Sequence, residues 1–390
     1  MPSSVYLPPF AAGPEMEMRD YVARLPLLVS VAALLILGGC GSSNPSSPPV
    51  NPPSLLSVAV DSLVQSEMQQ FGVPAMDVAL AKKGAILYAR GYGVSDLLTN
   101  RPAESGSIFE IGSITKQFTA TLIMKLQEQG QLHVDDSIAP YLPQYGFPSA
   151  ITIRMLLTHT SGLADFTNFS DFGQWVTNGV SELIVLGEIS QAGLQFQPGT
   201  QYAYSNSNFY LLGSIIERLT GQSYAANLDQ YIFHPLALQG TYYVLPPANL
   251  AATGYTHNGA ALVPAIIWDR SAAFAAGALS SNLYDLVAWD DALMSGKVVS
   301  PASFQQMTTS NGFFQDGYSY GFGLALSTYN SRPLMWHAGQ IGGFYTENVV
   351  FLDDGFTLVI LTNDQDYDTD PFVFKILNAV CGSSQLDSNC

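Results

Sequence analysis

The stretch Phe109-Glu-Ile-Gly-Ser-Ile-Thr-Lys-Gln-Phe118 holds the only Ser-x-x-Lys of the sequence, formed by Ser113 and Lys116. A helix is predicted to follow, because apolar residues recur at a four-residue spacing on one helical face. Those residues are Phe118, Leu122 and Leu126. Gly130 is placed to end this helix as a left-handed cap. Ser113 is therefore expected in the first turn.

Ser113 and Lys116 are three residues apart, so a helix makes their side chains neighbours. The N–H groups of a first turn have no intrahelical partner, and the helix dipole there favours negative charge. A serine in this place has a base beside it and a donor ready for an oxyanion, as nucleophilic catalysis requires. The alternative is ordinary helix capping by the serine, next to a solvated lysine.

The composition is that of a globular protein: of 390 residues, 47% are hydrophobic and 12% are charged. This length is enough for one large domain or two closely packed ones. The formal net charge of −17 disfavours nucleic acid and anionic membrane surfaces, because both repel an acidic protein. We therefore expect no nucleic-acid partner.

Residues 1–39 are predicted to be a lipoprotein signal peptide that lies outside the folded domain. Arg19 and Arg24 precede an apolar run, and the segment ends in Leu37-Gly-Gly-Cys40. This ending resembles a bacterial lipobox, which would make Cys40 the lipidated first residue of the mature protein and the membrane its partner. A plain secretory signal or an anchor is the alternative.

Residues 40–54 are rich in Ser and Pro and are expected to form a semi-extended tether that buries nothing. Gly41 stands after the cysteine, where an Asp would retain a lipoprotein at the inner membrane. By resemblance to lipoprotein sorting, the expected location is therefore the bacterial cell envelope. The protein would be lipid-anchored there and face the periplasm, with the outer membrane as its expected site.

Strand patterns occur near both ends of the remaining chain. They lie at 76–81, 85–92, 323–328, 334–338, 344–351 and 357–362. Helical runs are predicted at 55–71 and from Asp370 to Val380, and helices dominate about 148–270. This order predicts an α+β fold, with an antiparallel sheet built from N- and C-terminal strands and flanked by helices. The middle region would be an inserted all-helical part.

We expect one domain over 55–381, followed by a C-terminal tail at 382–390. Cys381 and Cys390 lie near each other in sequence, so in an oxidising compartment they could form a disulfide or stay free. Neither cysteine lies in a motif typical of a nucleophile or a metal ligand.

Two further motifs contain residues that can take part in catalysis. Tyr204-Ser-Asn206 lies in a polar loop before a helical run, and His337-Ala-Gly339 ends an apolar strand. Together with Ser113 and Lys116, in this order and secondary-structure context, they resemble the penicillin-recognising serine hydrolases. The resemblance is to the class C β-lactamase-like branch, and it runs from about Leu55 to Val380. Supporting stretches include Leu156-Leu-Thr-His-Thr-Ser-Gly-Leu163, Gly277-Ala-Leu-Ser-Ser281 and Tyr320-Gly-Phe-Gly323.

The resemblance implies a β-lactamase/transpeptidase-like fold and a serine hydrolase that needs no cofactor. Ser113 would be the acyl-accepting nucleophile and Lys116 its proton acceptor or electrostatic partner. Tyr204 would be a second candidate base and a proton shuttle to the leaving group, with its pKa lowered by the Lys116 cation. Asn206 would hold the Lys116 amine and bind the acyl side chain of the substrate. Backbone N–H groups of Ser113 and Gln340 would form the oxyanion hole.

The third motif departs from the family pattern, because β-lactamases and transpeptidases usually carry Lys or Arg where His337 stands. His337, Gly339 and Gln340 are the substrate-binding residues expected on this strand. Histidine is only partly charged near pH 7, which suits a substrate carboxylate less well. Activity on anionic substrates is expected to rise as the pH falls through about 6.5, where histidine gains charge.

Carboxylic esters or small amides are therefore the expected substrates of an acyl-enzyme hydrolase. The first alternative is a β-lactamase or D-Ala-D-Ala carboxypeptidase acting on β-lactams or peptidoglycan peptides. The second is a binding protein that accepts an acyl group without turnover. Two or three of seven nearby aromatic residues are expected to line an acyl pocket: Trp336, Phe344, Tyr345, Phe313, Phe314, Tyr318 and Tyr320.

Other motifs are interpreted as structural. Gly317-Tyr-Ser-Tyr-Gly321 matches a nucleophile elbow but lacks the strand before it and the helix after it. His159 is assigned to loop structure rather than to catalysis. The run from Asp364 to Asp370 fails the calcium-loop pattern. His133, His234 and His257 show no ligand spacing, so no metal site is expected.

Overall fold

The structure is a computed structural model and describes residues 54–315 and 317–381. The predicted signal peptide, Cys40, the tether up to residue 53, the tail and the disulfide to Cys390 lie outside these ranges and stay predictions. Within the described ranges, none of the helices combines the length and the apolar character needed to cross a membrane.

Eight strands form one antiparallel sheet, in the order β3-β2-β1-β12-β11-β10-β9-β8, and two short pairs, β4–β7 and β5–β6, lie apart from it. The strands are β1 (Ala75–Lys82), β2 (Ala85–Asp96), β3 (Arg101–Pro102), β4 (Phe109–Glu110), β5 (Tyr255–Asn258), β6 (Ala261–Pro264), β7 (Ser280–Ser281), β8 (Ser319–Tyr320), β9 (Ala325–Tyr329), β10 (Arg332–Ile341), β11 (Phe344–Phe351) and β12 (Phe356–Thr362).

Helices cover both faces of this sheet and fill the middle of the chain. They are α1 (Leu55–Phe71), α2 (Thr115–Glu128), α3 (Ile153–Leu157), α4 (Phe172–Asn178), α5 (Glu182–Ala192), α6 (Asn206–Thr220), α7 (Tyr224–Leu228), α8 (His234–Leu236), α9 (Arg270–Gly277), α10 (Leu283–Met294), α11 (Pro301–Met307) and α12 (Asp370–Cys381).

The centre of the sheet joins the two ends of the chain, because β1 pairs with β12 from Met76↔Thr362 to Lys82↔Phe356. Side chains of β1 alternate between the two faces. Val78 and Leu80 pack in the apolar layer that includes α1 and α12. Ala79 and Ala81 belong to the layer that includes α2, α6 and α10. Burial on both faces explains why these strands read as continuous apolar runs.

The predicted α+β sheet is confirmed, and the helix at 55–71 and the strand at 344–351 have the bounds expected from the sequence. The prediction of an all-helical region at about 148–270 is wrong in one part, because β5 and β6 form a hairpin within it. Each strand has only four residues, too few for a clear alternating pattern. Tertiary contact stabilises the hairpin, since the Tyr255 N–H donates to the Asn363 carbonyl at the end of the main sheet.

A buried acidic pair joins the sheet to α12. Glu347 on β11 is 0% exposed and Asp370 is 5% exposed. Within the described residues, neither carboxyl group forms a hydrogen bond of full geometry. Burial, and then the neighbouring Asp370, raise the pKa of Glu347 well above its usual value. Glu347 therefore keeps its proton in the folded protein at a pH where the unfolded chain has lost it.

We expect Glu347→Gln to stabilise the fold at pH 8 but not at pH 4. The raised folded pKa means that wild-type stability is fully present below the unfolded pKa of about 4.3 and is lost as the pH rises towards the folded pKa. Glutamine does not ionise, so the free energy of unfolding of the variant at pH 8 should exceed that of wild type by about 1 kcal/mol or more, since one pKa unit corresponds to about 1.4 kcal/mol. Urea unfolding at both pH values measures the difference.

The matched control is Glu104→Gln, because Glu104 is exposed and the same chemical change there should leave the pH dependence unaltered. Equal stabilisation of the Glu347→Gln variant at pH 4 and pH 8 would contradict the assignment of a buried, protonated Glu347.

Candidate active site

Ser113 lies in the 3₁₀ turn Gly112–Ile114, immediately before α2, rather than in the first α-helical turn. Gly112 has φ +48°, a left-handed conformation that favours glycine. A Cβ atom at this position would lie 2.8 Å from the backbone N of Gln340. The close approach therefore requires glycine, and it brings β10 next to the nucleophile turn.

Gly339 makes the second close approach. A Cβ atom on Gly339 would lie 2.0 Å from the Ile111 carbonyl oxygen, so a larger residue would push β10 away from the turn. Ser113 and Gln340 consequently line one pocket. This placement suits the predicted oxyanion hole, in which the two backbone N–H groups would converge on one carbonyl oxygen.

The Lys116 side chain is fully buried, and its amine contacts three oxygen atoms. Its Nζ lies 2.8 Å from Ser113 Oγ, 2.8 Å from Asn206 Oδ1 and 2.7 Å from the Ala276 carbonyl oxygen. The last contact was not predicted. Helix α9 is interrupted at Phe274, with φ 41° and ψ −133°, two residues before Ala276. Sequence patterns do not reveal such a kink.

These contacts fit both protonation states, because an ammonium can donate to all three oxygen atoms. The neutral amine has two N–H donors and one lone pair. Asn206 Oδ1 and the Ala276 carbonyl can only accept, so they take both N–H groups. The lone pair then faces the Ser113 hydroxyl. Burial lowers the pKa of Lys116 to about 7, although the negative charge of Asp165 opposes this shift. A large neutral fraction therefore exists near pH 7.

Tyr204 lies on the other side of the amine, with its ring centroid 4.9 Å from Lys116 Nζ. Its hydroxyl is buried and forms no hydrogen bond of full geometry with the rest of the described chain. Burial raises the pKa of Tyr204 well above its usual value, and the nearby Ser113 hydroxyl opposes the rise only in part. The expectation that Lys116 lowers this pKa is therefore wrong, because desolvation of the tyrosinate dominates.

Asn206 is the first residue of α6 and is brought to Lys116 as predicted. Its amide nitrogen donates to Asp165 Oδ2 at 3.0 Å. Asp165 was not predicted as a site residue. The signal was present in the sequence, because Asp165 follows the Leu156–Leu163 stretch that resembles the family.

His337 is fully buried beside the site. Its Nε2 lies 2.8 Å from the Tyr320 hydroxyl, and its Nδ1 lies 2.6 Å from the Ala338 carbonyl oxygen. Burial and, secondarily, the Lys116 charge lower the pKa of His337 to about 3. The expectation that this histidine gains charge near pH 6.5 is therefore wrong. Its role in substrate binding stays a prediction.

The pocket next to Ser113 is apolar and aromatic. Its lining residues are Ser113, Phe166, Thr167, Phe172, Asn206, Trp268, Ala272, Ala273, Ala276, Gly277, Gln340 and Ile341. The seven aromatic residues expected from the sequence are not among them. Phe166, Phe172 and Trp268 take their place, and all three come from the helical region. The expected pocket residues were wrong because they were chosen by their sequence distance from His337. The residues that line the pocket include several from α4 and α9.

The structure supports a structural role for Ser319. Ser319 is buried in β8, and the strand β9 follows. His257, Asp364 and Asp366 come together, with possible ligand atoms within 4.8 Å of one another. Asp366 Oδ2, however, already accepts from Thr256 Oγ1 and from the His257 N–H. These bonds fasten the β5–β6 hairpin to the loop after β12.

Comparisons with known proteins agree with this geometry. The Beta-lactamase family model matches residues 60–375. Penicillin-binding protein 4* from Bacillus subtilis (strain 168) is 31% identical over 312 residues, which cover 74% of this chain and 68% of that protein.

Solved structures share the fold. D-amino acid amidase from Ochrobactrum anthropi SV3 superposes with a TM-score of 0.75 at 27% identity, covering 84% of this chain and 99% of that one. The octameric penicillin-binding protein homologue from Pyrococcus abyssi gives a TM-score of 0.74 at 25% identity, covering 83% and 76%. The chain therefore belongs to the β-lactamase family of serine hydrolases.

Proposed function

We propose that the protein hydrolyses carboxylic esters or small amides through an acyl-enzyme on Ser113. The hydrogen-bond pattern of Lys116 carries this proposal. Two oxygen atoms that can only accept occupy the N–H groups of the neutral amine, so its lone pair faces the Ser113 hydroxyl. A buried lysine with a pKa of about 7 is suited to act as a general base at neutral pH.

Acylation begins when Ser113 Oγ attacks the substrate carbonyl carbon and its proton passes to Lys116 Nζ. The oxyanion binds the backbone N–H groups of Ser113 and Gln340. When the tetrahedral intermediate collapses, the bond to the leaving group breaks and the leaving oxygen or nitrogen takes up a proton. Tyr204, which stays protonated because of its burial, is the shuttle between Lys116 and that atom. Lys116 ends this step as a neutral amine.

Deacylation repeats the sequence with water as the nucleophile. Neutral Lys116 accepts a proton as water attacks the acyl carbon, and the same two N–H groups hold the oxyanion. The bond to Ser113 Oγ then breaks, and Oγ regains a proton from Lys116. The products are a carboxylic acid and an alcohol or amine, with the enzyme restored.

The walls of the pocket favour an uncharged, apolar acyl group. The residues that line it include three aromatic rings, three alanines and an isoleucine, and none of these lining residues is charged. His337 is buried and neutral, so it offers no cation to a substrate carboxylate. The Ochrobactrum anthropi amidase was solved with L-phenylalanine amide, which supports an aromatic amide as a further candidate substrate.

A panel of substrates tests this assignment. We expect kcat/KM for neutral p-nitrophenyl esters, such as the butyrate and the phenylacetate, to exceed that for nitrocefin and for D-Ala-D-Ala peptides at least about 100-fold. The physical reason is that a carboxylate entering an uncharged apolar pocket loses hydration without gaining an ion pair. The panel is measured with the purified domain from residue 54. Faster turnover of the carboxylate-bearing substrates would overturn the choice of ester or amide.

The alternative is a β-lactamase or D-Ala-D-Ala carboxypeptidase. The 31% identity to a penicillin-binding protein favours it, and Ser113, Lys116 and Asn206 would serve it equally well. The uncharged pocket argues against it. A binding protein that accepts an acyl group without turnover is the remaining possibility, and a persistent adduct in mass spectrometry without product release would favour it.

We also propose that the protein is anchored in the bacterial cell envelope through a lipid on Cys40 and faces the periplasm. The Leu37-Gly-Gly-Cys40 ending and the Ser- and Pro-rich tether support this proposal. Metabolic labelling with a palmitate analogue, with Cys40→Ser as the control, tests it.

A further inference from the structure

One loop contacts each of the four residues that follow Tyr204, at the start of α6. This loop, residues 158–166, contains the Thr-His-Thr-Ser-Gly sequence that resembled the family but had no function assigned to it. The four residues 205–208 each form a hydrogen bond with it. The bonds are Ser205 N–H to His159 Nδ1, Asn206 Nδ2 to Asp165 Oδ2, Ser207 Oγ to the Ala164 carbonyl, and Ser161 Oγ to Asn208 Oδ1.

His159 holds the backbone on both sides of Tyr204. Its carbonyl oxygen accepts the Ala203 N–H at 3.0 Å, and its Nδ1 accepts the Ser205 N–H at 3.2 Å. Its ring also packs on the Tyr204 ring, with centroids 4.2 Å apart. The side chain is 0% exposed, and the residue has φ +55°, a left-handed conformation that Asn, Asp and His adopt more readily than other residues with a side chain. One buried residue thus fixes the peptide groups and the ring of Tyr204.

His159 does not act as a base. Its Nδ1 accepts two hydrogen bonds, from Ser205 N–H and from Asn208 Nδ2, so the neutral ring carries its proton on Nε2. Burial, followed by the neighbouring Lys116 and His337, lowers the pKa of His159 well below its usual value. A ring that stays neutral and saturated at Nδ1 can position its neighbours but cannot accept the Ser113 proton.

Asp165 fixes the orientation of the Asn206 side chain, as His159 fixes that of Tyr204. A carboxylate only accepts hydrogen bonds, so Asp165 Oδ2 requires the amide nitrogen of Asn206 to face it. The amide oxygen is then turned to Lys116 Nζ, at 2.8 Å. The other carboxylate oxygen accepts the Thr167 N–H at 3.1 Å, which fixes Asp165 itself. Without the carboxylate, the Asn206 amide could flip and present a donor to the amine.

We propose that loop 158–166 is a positioning device for the catalytic site, in which His159 orients Tyr204 and Asp165 orients Asn206 and acts electrostatically on Lys116. This inference rests on the proposed function, because it assumes that Ser113 is acylated. It goes beyond that function by assigning two residues that do not touch the substrate.

Asp165 contacts Asn206 and acts on the Lys116 amine through its charge, while several uncharged groups face the same amine. These are Ser113 from the 3₁₀ turn, Asn206 from α6, Ala276 from α9, the rings of Tyr204 and Phe209, and the buried neutral His159 and His337. Burial raises the pKa of Asp165, while hydrogen bonds from Thr167 and Asn206 and the Lys116 charge oppose the rise. In its ionised form, the Asp165 carboxylate favours the protonated form of the amine and so opposes the effect of burial. Removing this charge must therefore make Lys116 easier to deprotonate.

The first experiment compares Asp165→Asn with wild type in the pH dependence of kcat/KM for a p-nitrophenyl ester. Wild type should lose activity below a pH of about 7, where Lys116 becomes protonated. Asp165→Asn should move this acidic limb down by about 0.5–1 pH unit, in addition to lowering the rate. Asp171→Asn is the matched control, because Asp171 is exposed and its side chain accepts a hydrogen bond from its neighbour Ser170. An unmoved limb in Asp165→Asn would overturn the role of Asp165.

The second experiment compares His159→Leu with His159→Asn. Leucine fills the space but offers no acceptor, so kcat should fall about 10- to 100-fold, whereas KM should change less than about threefold. Asparagine keeps a short acceptor near Nδ1 and tolerates the positive φ, so it should restore most of kcat. Equal kcat values in both variants would overturn the positioning role. Thermal unfolding identifies a His159→Leu variant that does not fold, and the Asp165→Asn profile then decides the proposal.

The two proposals fail in different ways. If Ser113→Ala keeps full activity, the proposed function is wrong. If Ser113→Ala is inactive while the His159 and Asp165 variants match wild type in rate and pH profile, only the positioning role of the loop is wrong.

Discussion

Ser113→Ala is expected to lower kcat for p-nitrophenyl esters by roughly four orders of magnitude or more. The substitution removes the atom that we propose forms the acyl bond, whereas the Ala276 carbonyl and Asn206 Oδ1 still hold Lys116 in place. The protein should therefore fold normally and bind substrate without turning it over. Initial rates with saturating ester measure the loss, and intact-mass spectrometry with a fluorophosphonate should show one adduct on wild type and none on the variant.

Ser319→Ala is the matched control. Ser319 lies in the Gly-x-Ser-x-Gly sequence at 317–321, which resembles a nucleophile elbow, and it is buried in β8. The control variant should keep the wild-type rate and the adduct. Retained turnover in Ser113→Ala would mean that another group attacks the substrate, and it would remove the basis of the proposed mechanism.

Lys116→Met is expected to lower kcat/KM by about 10³- to 10⁴-fold. Methionine fills the buried space of the lysine stem without burying a charge, so the loss reports the missing amine rather than a cavity. Lys116→Arg should not restore activity, because a guanidinium stays protonated and cannot accept the Ser113 proton. Stopped-flow or steady-state ester hydrolysis measures both variants. Lys125→Met, a half-buried lysine further along α2, is the control and should remain active.

The pH dependence separates lysine from tyrosine as the base. Lys116 has a pKa lowered to about 7, so wild-type activity should fall as the pH drops below 7 and the amine gains a proton. Tyr204 has a raised pKa, so a tyrosinate base would require strongly alkaline pH. If the residual activity of Lys116→Met keeps the acidic limb near pH 7, some other group titrates there, and the assignment of Lys116 as the base is wrong.

The sequence was sufficient for the elements whose signals are local. The spacing of apolar residues gives the bounds of α1, and the β-rich composition between two turns gives those of β11. The three motifs of Ser113, Tyr204 and His337, in their order along the chain, were enough to indicate the family. The short hairpin β5–β6 was missed, since four-residue strands owe their stability to contacts elsewhere in the chain.

Side-chain environment could not be predicted in the same way. The sequence placed His337 and Tyr204 near the site but gave the wrong direction for the charge of each. A pKa depends on how completely a group is removed from water and on which charges surround it. Burial lowers the pKa of His337 and raises that of Tyr204, and both effects arise from elements far apart in sequence.

The sequence by itself was therefore enough to predict Ser113, Lys116 and Asn206 as site residues and to predict the helix and strands that carry the site. Only the tertiary structure decided the chemistry of Ser113-Ile-Thr-Lys116. In the folded protein, Lys116 is buried and its amine bonds to the Ala276 carbonyl, which follows the kink in α9. Asp165 accepts a hydrogen bond from the Asn206 amide. The reason is physical, because residue type fixes which bonds a group can form, whereas folding fixes its partners and its access to water.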